Sequence, residues 1–294
     1  MGSWGPGLYS NDIALDLKST IGAIVKLPFE TKRLVEIASE AFPEAANQKV
    51  DEDYTTFWLV LADQFHKRGI NSSDVFDRSI DIIDSGSDLQ NQETLGLAAS
   101  DLKKREKSLQ KLREKLCQPV VKKPRKTIQK PQPLIMETGD VIVFPVSEEG
   151  TSINPYFTEI EWQQKKWSRA DWGAAVIVAS GHAFEYLAYY CPLIQMRLLN
   201  VKQAPTLNML QKPVGWRLKQ AGTFSKTHFR RSQVKIIANI KFDQQRMQDQ
   251  FPEIPDGTYA AANDISFADT LSVTDGPCYN EPPKIESLSE IIAS

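Results

Sequence analysis

The sequence predicts an α+β protein with an all-helical N-terminal domain, a linker rich in proline and lysine, and a small antiparallel β-rich domain. Apolar residues recur at helical spacing up to residue 117, whereas β-branched and aromatic runs typical of strands follow residue 135. The segment between them, residues 118–135, contains four prolines and five basic residues but no acidic one. Because proline fixes φ and removes a hydrogen-bond donor, we expect an extended, semi-rigid spacer between two domains.

Five helical segments are predicted in residues 1–117. Capping side chains, prolines and glycines mark where they begin and end. The first segment runs from Ser10–Asp12 to Pro28, the second from Thr31 to Pro43, and the third from Asp51 to Gly69. The fourth runs from Ser72 or Ser73 to Ser85–Gly86, and the fifth from Glu93 to Cys117.

Two of these segments carry further patterns. In the third, Tyr54, Trp58, Leu61 and Phe65 form an apolar stripe that is predicted to be core. In the fifth, leucines seven residues apart border a mixed-charge face, which is typical of a helix packed on its neighbours or of a dimerising helix.

Short strands are predicted in residues 136–242. A β-branched run follows the turn at Gly139–Asp140, and two apolar runs flank a predicted hairpin turn at Ala179–Ala183. Short strands joined by hairpins favour a small barrel or sandwich. The predicted strands are Val141–Val146, Trp172–Val178, Phe184–Tyr190, Leu193–Leu199 and Val234–Ile240.

Charge is distributed unevenly along the chain. Residues 1–117 carry a net charge of −4, the linker +5, residues 136–242 +5, and residues 243–294 −8. A basic middle and an acidic end favour a charged partner or self-association. Prolines, acids and small polar residues dominate the last segment, so we predict that 243–294 is mostly disordered.

The sequence argues against disulfides, metal sites, secretion and membrane-spanning helices. The three cysteines are scattered without a CxxC pair, and the three histidines lack metal-ligand spacing, so neither a disulfide framework nor a metal or other cofactor is expected. No secretory signal opens the chain, and no run of eighteen apolar residues is present. These observations favour a cytoplasmic protein that does not span a membrane.

The sequence contains no phosphate-binding loop, no glycine-rich dinucleotide-binding motif, no HExxH metalloprotease motif and no GxSxG nucleophile elbow. Cys191, His182 and either Asp140 or Glu185 supply the residue types of a thiol nucleophile and its base, but without a recognisable local motif. We therefore do not expect an enzyme.

Two groups of residues are candidates for binding a partner. Trp4, Asp12 and Asp16 form a distinctive N-terminal cluster, in which the two acids share one helix face. Near the other end, Lys226, His228, Arg230 and Arg231 alternate with phenylalanines. Together with the basic linker, Lys226–Arg231 is a candidate for weak nucleic-acid contact. Both groups also have a structural interpretation. In the first, the two acids cap and solvate their helix, and in the second, the basic residues belong to a solvated turn.

The two halves resemble different bacterial families. The opening Trp4–Asp16, with the pattern W-G-x-G, four residues and D-x-A-x-D, resembles a bacterial family of unknown function, as do Phe57–Ala62 and Ile83–Gly86. The second half, at Gly139–Val141, Gly222–Ser225 and Val234–Ile237, is similar to immunity-protein family twenty-six of bacterial polymorphic toxin systems.

This second resemblance implies a protein that binds a toxin and blocks it without catalysis. The expected function is therefore that of a non-enzymatic immunity protein with a protein partner. The alternative is a nucleic-acid-binding component of a bacterial defence or regulatory system.

Overall fold

A computed structural model of the protein describes residues 5–121, 123–153, 167–252, 254–267, 271, 273 and 283–293. The chain divides into two compact units, residues 1–129 and 130–294. The division lies within the proline-rich segment 118–135. The described residues form helices and one antiparallel sheet, which confirms the predicted mixed α+β class.

Unit 1 is helical throughout its described residues. The helices begin and end near the predicted signals, except that an additional short helix starts at Pro43, where the second segment is predicted to end, and another starts at Ser87, before the predicted start of the fifth segment at Glu93. They are α1 (Asp12–Ile24), α2 (Thr31–Ala41), α3 (Pro43–Asn47), α4 (Tyr54–Lys67), α5 (Ser73–Asp84), α6 (Ser87–Thr94) and α7 (Ala99–Leu116).

Helix α4 is the centre of unit 1. Every residue from Tyr54 to Phe65 is buried, and the helix packs against α1, α3 and α5. The stripe that contains Trp58 and Leu61 is thus part of the core, as its spacing predicts. A helix that is enclosed on nearly all sides needs apolar residues around its whole circumference, and this explains the continuous run from Phe57 to Ala62.

The helix ends follow ordinary capping chemistry. Asn11 caps α1, and its side-chain oxygen accepts a hydrogen bond of 3.0 Å from the Ala14 amide. Gly69 follows α4 with a φ of 72°, the left-handed conformation that glycine adopts without strain. Gly96, with a φ of 87°, separates α6 from α7, so the predicted long fifth helix is interrupted.

A buried ion pair joins α6 and α7. Arg105 on α7 donates two hydrogen bonds, of 2.6 and 2.9 Å, to the carboxylate of Asp88 on α6. The same guanidinium donates to the Gly7 carbonyl at 3.1 Å. Leu109, Leu112 and Leu116 on α7 are also buried. Within this chain, α7 therefore packs on its neighbours, as the first of its two interpretations predicts.

The described residues of the linker are bound at several points within their own units. In unit 1, the Ile128 amide donates to the Lys26 carbonyl at 2.7 Å, and Arg125 donates to the Phe29 carbonyl at 2.5 Å. In unit 2, the Gln132 amide donates to the Tyr186 carbonyl at 2.9 Å. An extended segment without helical or sheet partners satisfies its backbone groups in this way.

Unit 2 is built on an antiparallel sheet with the strand order β4-β3-β2-β1-β5 among the described residues. In the part of unit 2 that the structure describes, five short helices lie in the connections and the C-terminal segment. The elements are β1 (Asp140–Val146), β2 (Asp171–Ala183), β3 (Leu187–Gln195), α8 (Leu207–Leu210), β4 (Trp216–Leu218), α9 (Lys226–Arg231), β5 (Lys235–Asn239), α10 (Gln244–Gln250), α11 (Thr258–Ala262) and the 3-10 helix η1 (Leu288–Glu290).

The hairpin between β2 and β3 is longer than the sequence predicts. Strand β2 continues through the predicted turn to Ala183, and the chain reverses at Phe184 and Glu185, which have φ values of 51° and 66°. Gly181 and His182, which resemble turn residues in the sequence, are instead paired with β3.

The sheet is open, so the predicted barrel is wrong. Strands β4 and β5 occupy opposite edges, and the described strands form one sheet rather than the two of a sandwich. Along β1, Val141 and Val143 face one apolar cluster while Ile142 and Phe144 face another. Because connecting and C-terminal segments cover both faces, the sheet need not close on itself to bury them.

The C-terminal segment differs from the mostly disordered tail that its composition predicts. In its described residues it forms α10, α11 and η1, and Met247, Phe251, Leu288 and Ile291 are buried against one face of the sheet. Each of these short helices has too few apolar residues to be predicted as folded from its own sequence. The sheet supplies the apolar surface against which they pack, so tertiary packing orders residues whose composition alone predicts disorder.

Candidate functional site

A groove of about 970 Å3 lies on the surface of unit 1. One wall is α3 with the loop at residues 48–53, and the other is α5 with the start of α6. We call it the acidic groove, because four carboxylates line it: Asp51, Asp74, Asp77 and Asp81.

The spacing of residues on α5 produces the acidic wall. Val75, Phe76, Ile82 and Ile83 are buried, which turns the intervening aspartates toward solvent. Asp74, Asp77 and Asp81 lie three and four residues apart and therefore share one face. Asp84, one turn further along α5, forms an ion pair with Arg113 at 2.5 Å.

The carboxylates of the groove are not neutralised within the described residues. None of its four aspartates makes an ion pair there, and Lys49 and Arg78 are the basic residues of the lining. The lining therefore has a net charge of −2. In the adjoining loop, burial together with the carboxylates of Glu52 and Asp51 raises the pKa of Asp53.

Hydrogen bonds hold the loop wall in place. The Asn91 side chain on α6 donates to the Glu52 carbonyl at 2.6 Å, and the Trp58 indole donates to the Ala46 carbonyl at 3.2 Å. Val50, at the tip of this wall, is 93% exposed.

Arg78 closes the apolar side of the groove. Its guanidinium carbon lies 4.0 Å from the centroid of the Trp58 ring, which is a close cation–π contact. Trp58 is itself only 6% exposed and packs edge-on against Phe57. The core ring of Trp58 thus holds Arg78 in a groove whose four carboxylates form no ion pair within the described residues.

The N-terminal candidates lie elsewhere on unit 1. Asp12 occupies the first turn of α1, and Asp16 is exposed one turn later on the same face. Partial burial and the neighbouring Asp12 carboxylate raise the pKa of Asp16. Neither residue lines the acidic groove. Trp4 lies outside the described residues.

The basic candidates Lys226, His228, Arg230 and Arg231 all lie on α9 in unit 2. The structure thus brings these four together on one short helix. Lys226, Arg230 and Arg231 are exposed, whereas His228 is partly buried.

Two phenylalanines attach α9 to the protein. Phe224 is 6% exposed and stacks edge-on against Phe229, with ring centroids 6.0 Å apart. Ser225 caps the helix by accepting a hydrogen bond from the His228 amide at 3.1 Å. Phe224 is buried and Phe229 is partly buried, while Lys226, Arg230 and Arg231 are exposed. The alternation of phenylalanines with basic residues thus reflects both packing and a basic surface.

The cysteine and histidine considered in the sequence do not form a nucleophilic pair. Cys191 is fully buried, and burial raises the pKa of its thiol to about 12. Its sheet partner is Ala179, whereas His182 is paired with Ala188, further along the hairpin. A buried, protonated thiol without an adjacent base is a packing residue.

Sequence reasoning missed the acidic groove because it followed only the apolar face of α5. The signal was present in the alternation of aspartates with the buried residues Val75 and Phe76. The groove also needs the loop that carries Asp51, and a sequence pattern does not place that loop opposite α5.

Among the described residues, no group of histidine, cysteine and acidic side chains is arranged to hold a metal ion. No helix in that part of the chain has the length and apolar character needed to cross a bilayer. No family model, curated protein or solved structure matches this chain.

Proposed function

We propose that the protein is a non-enzymatic bacterial binding protein of the immunity type, which neutralises a toxin by occupying a cationic surface on it. The observation that carries this proposal is the acidic groove, whose four carboxylates have no ion-pair partner among the described residues. The expected resemblance of the second half to an immunity-protein family, based on Gly139–Val141, Gly222–Ser225 and Val234–Ile237, is in line with this proposal.

Charge complementarity identifies the kind of partner. A groove with a net charge of −2 attracts lysine and arginine side chains, which also accelerates the encounter of two proteins. Val50, which is 93% exposed in the same lining, supplies an apolar contact beside the charged side chains. Toxins that act on nucleic acids carry such basic surfaces, because they must bind phosphates.

The proposal is tested with any toxin that is found among the genes flanking this one. Cells that express the toxin would carry the wild-type protein, an Asp77→Asn/Asp81→Asn variant, or a Glu106→Gln/Glu114→Gln variant. All four positions are exposed, and both variants change the charge by the same amount. We expect the groove variant to lose protection and the α7 variant to keep it.

The same three proteins distinguish binding from folding. The groove variant should retain the wild-type melting temperature, while its affinity for the purified toxin falls about tenfold or more. Equal protection and equal affinity for all three proteins would show that the acidic groove is not the interface.

The second candidate function is nucleic-acid binding through α9. The exposed basic side chains of this helix, followed by Lys235 on the edge strand β5, favour it. One feature opposes base stacking: Trp172, between Arg169 and Lys235, is only 5% exposed. Contacts would therefore be made mainly to phosphates.

Fluorescently labelled 20-nucleotide DNA and RNA test this second function across a range of salt concentrations. Phosphate contacts predict a steep fall in affinity as salt rises, and a Lys226→Gln/Arg230→Gln variant should reduce the slope by about two. Absence of retention at low salt would exclude nucleic-acid binding by α9.

A further inference from the structure

A second concavity on unit 1, separate from the acidic groove, contains several lysines. Its volume is about 300 Å3, and it lies between α4, α7 and the segment that precedes α1. Leucines form its apolar part. We call it the lysine cavity, after its charged and phenolic lining: Tyr9, Asp63, Lys67, Lys111 and Lys115.

Asp63 fixes two of these lysines. Its nearly buried carboxylate accepts hydrogen bonds from the ammonium groups of Lys67, at 2.6 Å, and Lys115, at 2.9 Å. The hydroxyl of Tyr9 also donates to it. One carboxylate thus positions ammonium groups from two helices, α4 and α7.

A chain of side chains fixes Tyr9 in turn. The amide of Gln64 donates to the Tyr9 hydroxyl, and the Arg68 guanidinium donates to the oxygen of the Gln64 amide. Burial and the hydrogen bond to Asp63 raise the pKa of Tyr9, so the phenol remains protonated. These contacts pre-organise the cavity wall before any ligand arrives.

The cavity retains unused positive charge. Lys111 lies one turn before Lys115 on α7, is exposed, and makes no ion pair in the described part of the chain. The three lysines and Asp63 give the lining a net charge of +2. Because an ammonium group has three donors, Lys67 and Lys115 can bind a ligand while still contacting Asp63.

We propose that the lysine cavity binds a small ligand of the phosphate monoester class, with the doubly charged phosphate at the lysines and an apolar portion against the leucines. A dianion matches the net charge of the lining, and phosphate oxygens accept the charge-assisted hydrogen bonds that ammonium groups donate. A volume near 300 Å3 is at the small end of the range for ligand sites, which limits the apolar portion to about the size of one ring.

Phenyl phosphate is the probe, titrated into the full-length protein at constant ionic strength. Binding would be measured by calorimetry and by the rise in melting temperature. Lys111→Gln removes a cavity cation that makes no ion pair in the described structure. Lys103→Gln removes an exposed cation on the same helix that does not line the cavity, and serves as the matched control.

We expect Lys111→Gln to weaken the affinity for phenyl phosphate about tenfold, and Lys103→Gln to leave it unchanged. Inorganic phosphate should bind more weakly than phenyl phosphate, because it lacks the apolar portion. The proposal fails if the wild type does not bind phenyl phosphate, or if both variants bind it as the wild type does. Equal affinity for inorganic and phenyl phosphate would also overturn it, since the leucines would then make no contribution.

Discussion

Trp58 belongs to the core of unit 1 and contacts Arg78, a residue that lines the acidic groove. One side of its indole packs in the core against Phe57, and the other lies under the guanidinium of Arg78. Its N–H donates to the Ala46 carbonyl at 3.2 Å. Trp58 therefore connects the core of unit 1 to two residues of the groove lining, Ala46 and Arg78.

We expect Trp58→Ala to lower the free energy of unfolding by about 3–5 kcal/mol, because it removes a buried ring and leaves a cavity. Trp58→Phe retains an aromatic ring but loses the hydrogen bond to Ala46, and should cost less than Trp58→Ala. Urea unfolding measures both values. If Trp58→Ala left the unfolding midpoint unchanged but abolished partner binding, Trp58 would be a recognition residue rather than a core residue.

Asp63 should make the stability of unit 1 depend on pH in the acid range. Burial raises the pKa of its carboxyl, but hydrogen bonds from Lys67, Tyr9 and Lys115 outweigh burial and lower the pKa below its ordinary value of 3.8. The folded state therefore binds this proton less readily than the unfolded state does. The resulting stability is present above about pH 4 and is lost as the pH falls through the folded pKa.

Asp63→Asn tests this dependence by urea unfolding at pH 7, 5 and 3. The variant lacks the ionised carboxylate, so its deficit relative to the wild type should be largest at pH 7 and 5 and smaller at pH 3. Asp101→Asn, which removes the partly exposed ion-pair partner of Lys104, is the control and should show a smaller deficit than Asp63→Asn. A constant deficit for Asp63→Asn across the three pH values would contradict the assignment.

At the scale of elements, local signals determined which predictions succeeded. The Asn11 cap, Gly69 and the stripe on α4 act within one helix, so the sequence alone predicts them. The order of the strands and the extension of β2 to Ala183 depend on residues distant in the chain. The acidic groove was missed for the same reason, because Asp51 and Asp77 meet only after α3, α4 and α5 have packed.

The C-terminal segment shows how strongly tertiary packing can act on an element. Beyond the sheet itself, it pairs with the edge strand β4: the Trp216 amide donates to the Ile285 carbonyl at 2.8 Å, and the Lys284 amide donates back at 3.0 Å. Leu288 and Ile291 are fully buried beside this contact. The segment thus covers both an apolar face and an exposed row of backbone groups.

Removal of residues 243–294 should therefore prevent unit 2 from folding cooperatively, and should not simply remove a solubilising appendage. A milder change, Leu288→Ala, should lower the free energy of unfolding by about 2–5 kcal/mol because it leaves a cavity in the core. Calorimetry of the full chain measures the unit 2 transition. An exposed substitution in the same segment, Gln248→Ala, is the control. A truncated chain with an unchanged transition would show that the segment does not support the sheet.

At the scale of the whole molecule, two units with separate cores predict two separable folding domains. The connection between them contains the exposed residues Lys123, Lys126 and Lys130. Proline follows Lys123 and Lys130, and trypsin cleaves such bonds poorly. The peptide bond after Lys126 is therefore the expected point of first cleavage among these three.

Limited trypsin digestion should yield two resistant fragments that meet near residues 126 and 127. Cleavage should be slow at first, because the Arg125 side chain and the Ile128 amide are hydrogen-bonded to unit 1 and must detach before the protease can bind. An Arg125→Gln/Lys126→Gln variant should survive longer under the same conditions, since it lacks two residues after which trypsin can cleave. Mass spectrometry identifies the fragments. If the earliest cuts fell inside α1–α7 or the strands β1–β3, the two units would not be independent domains, and the boundary at residues 129 and 130 would have to move.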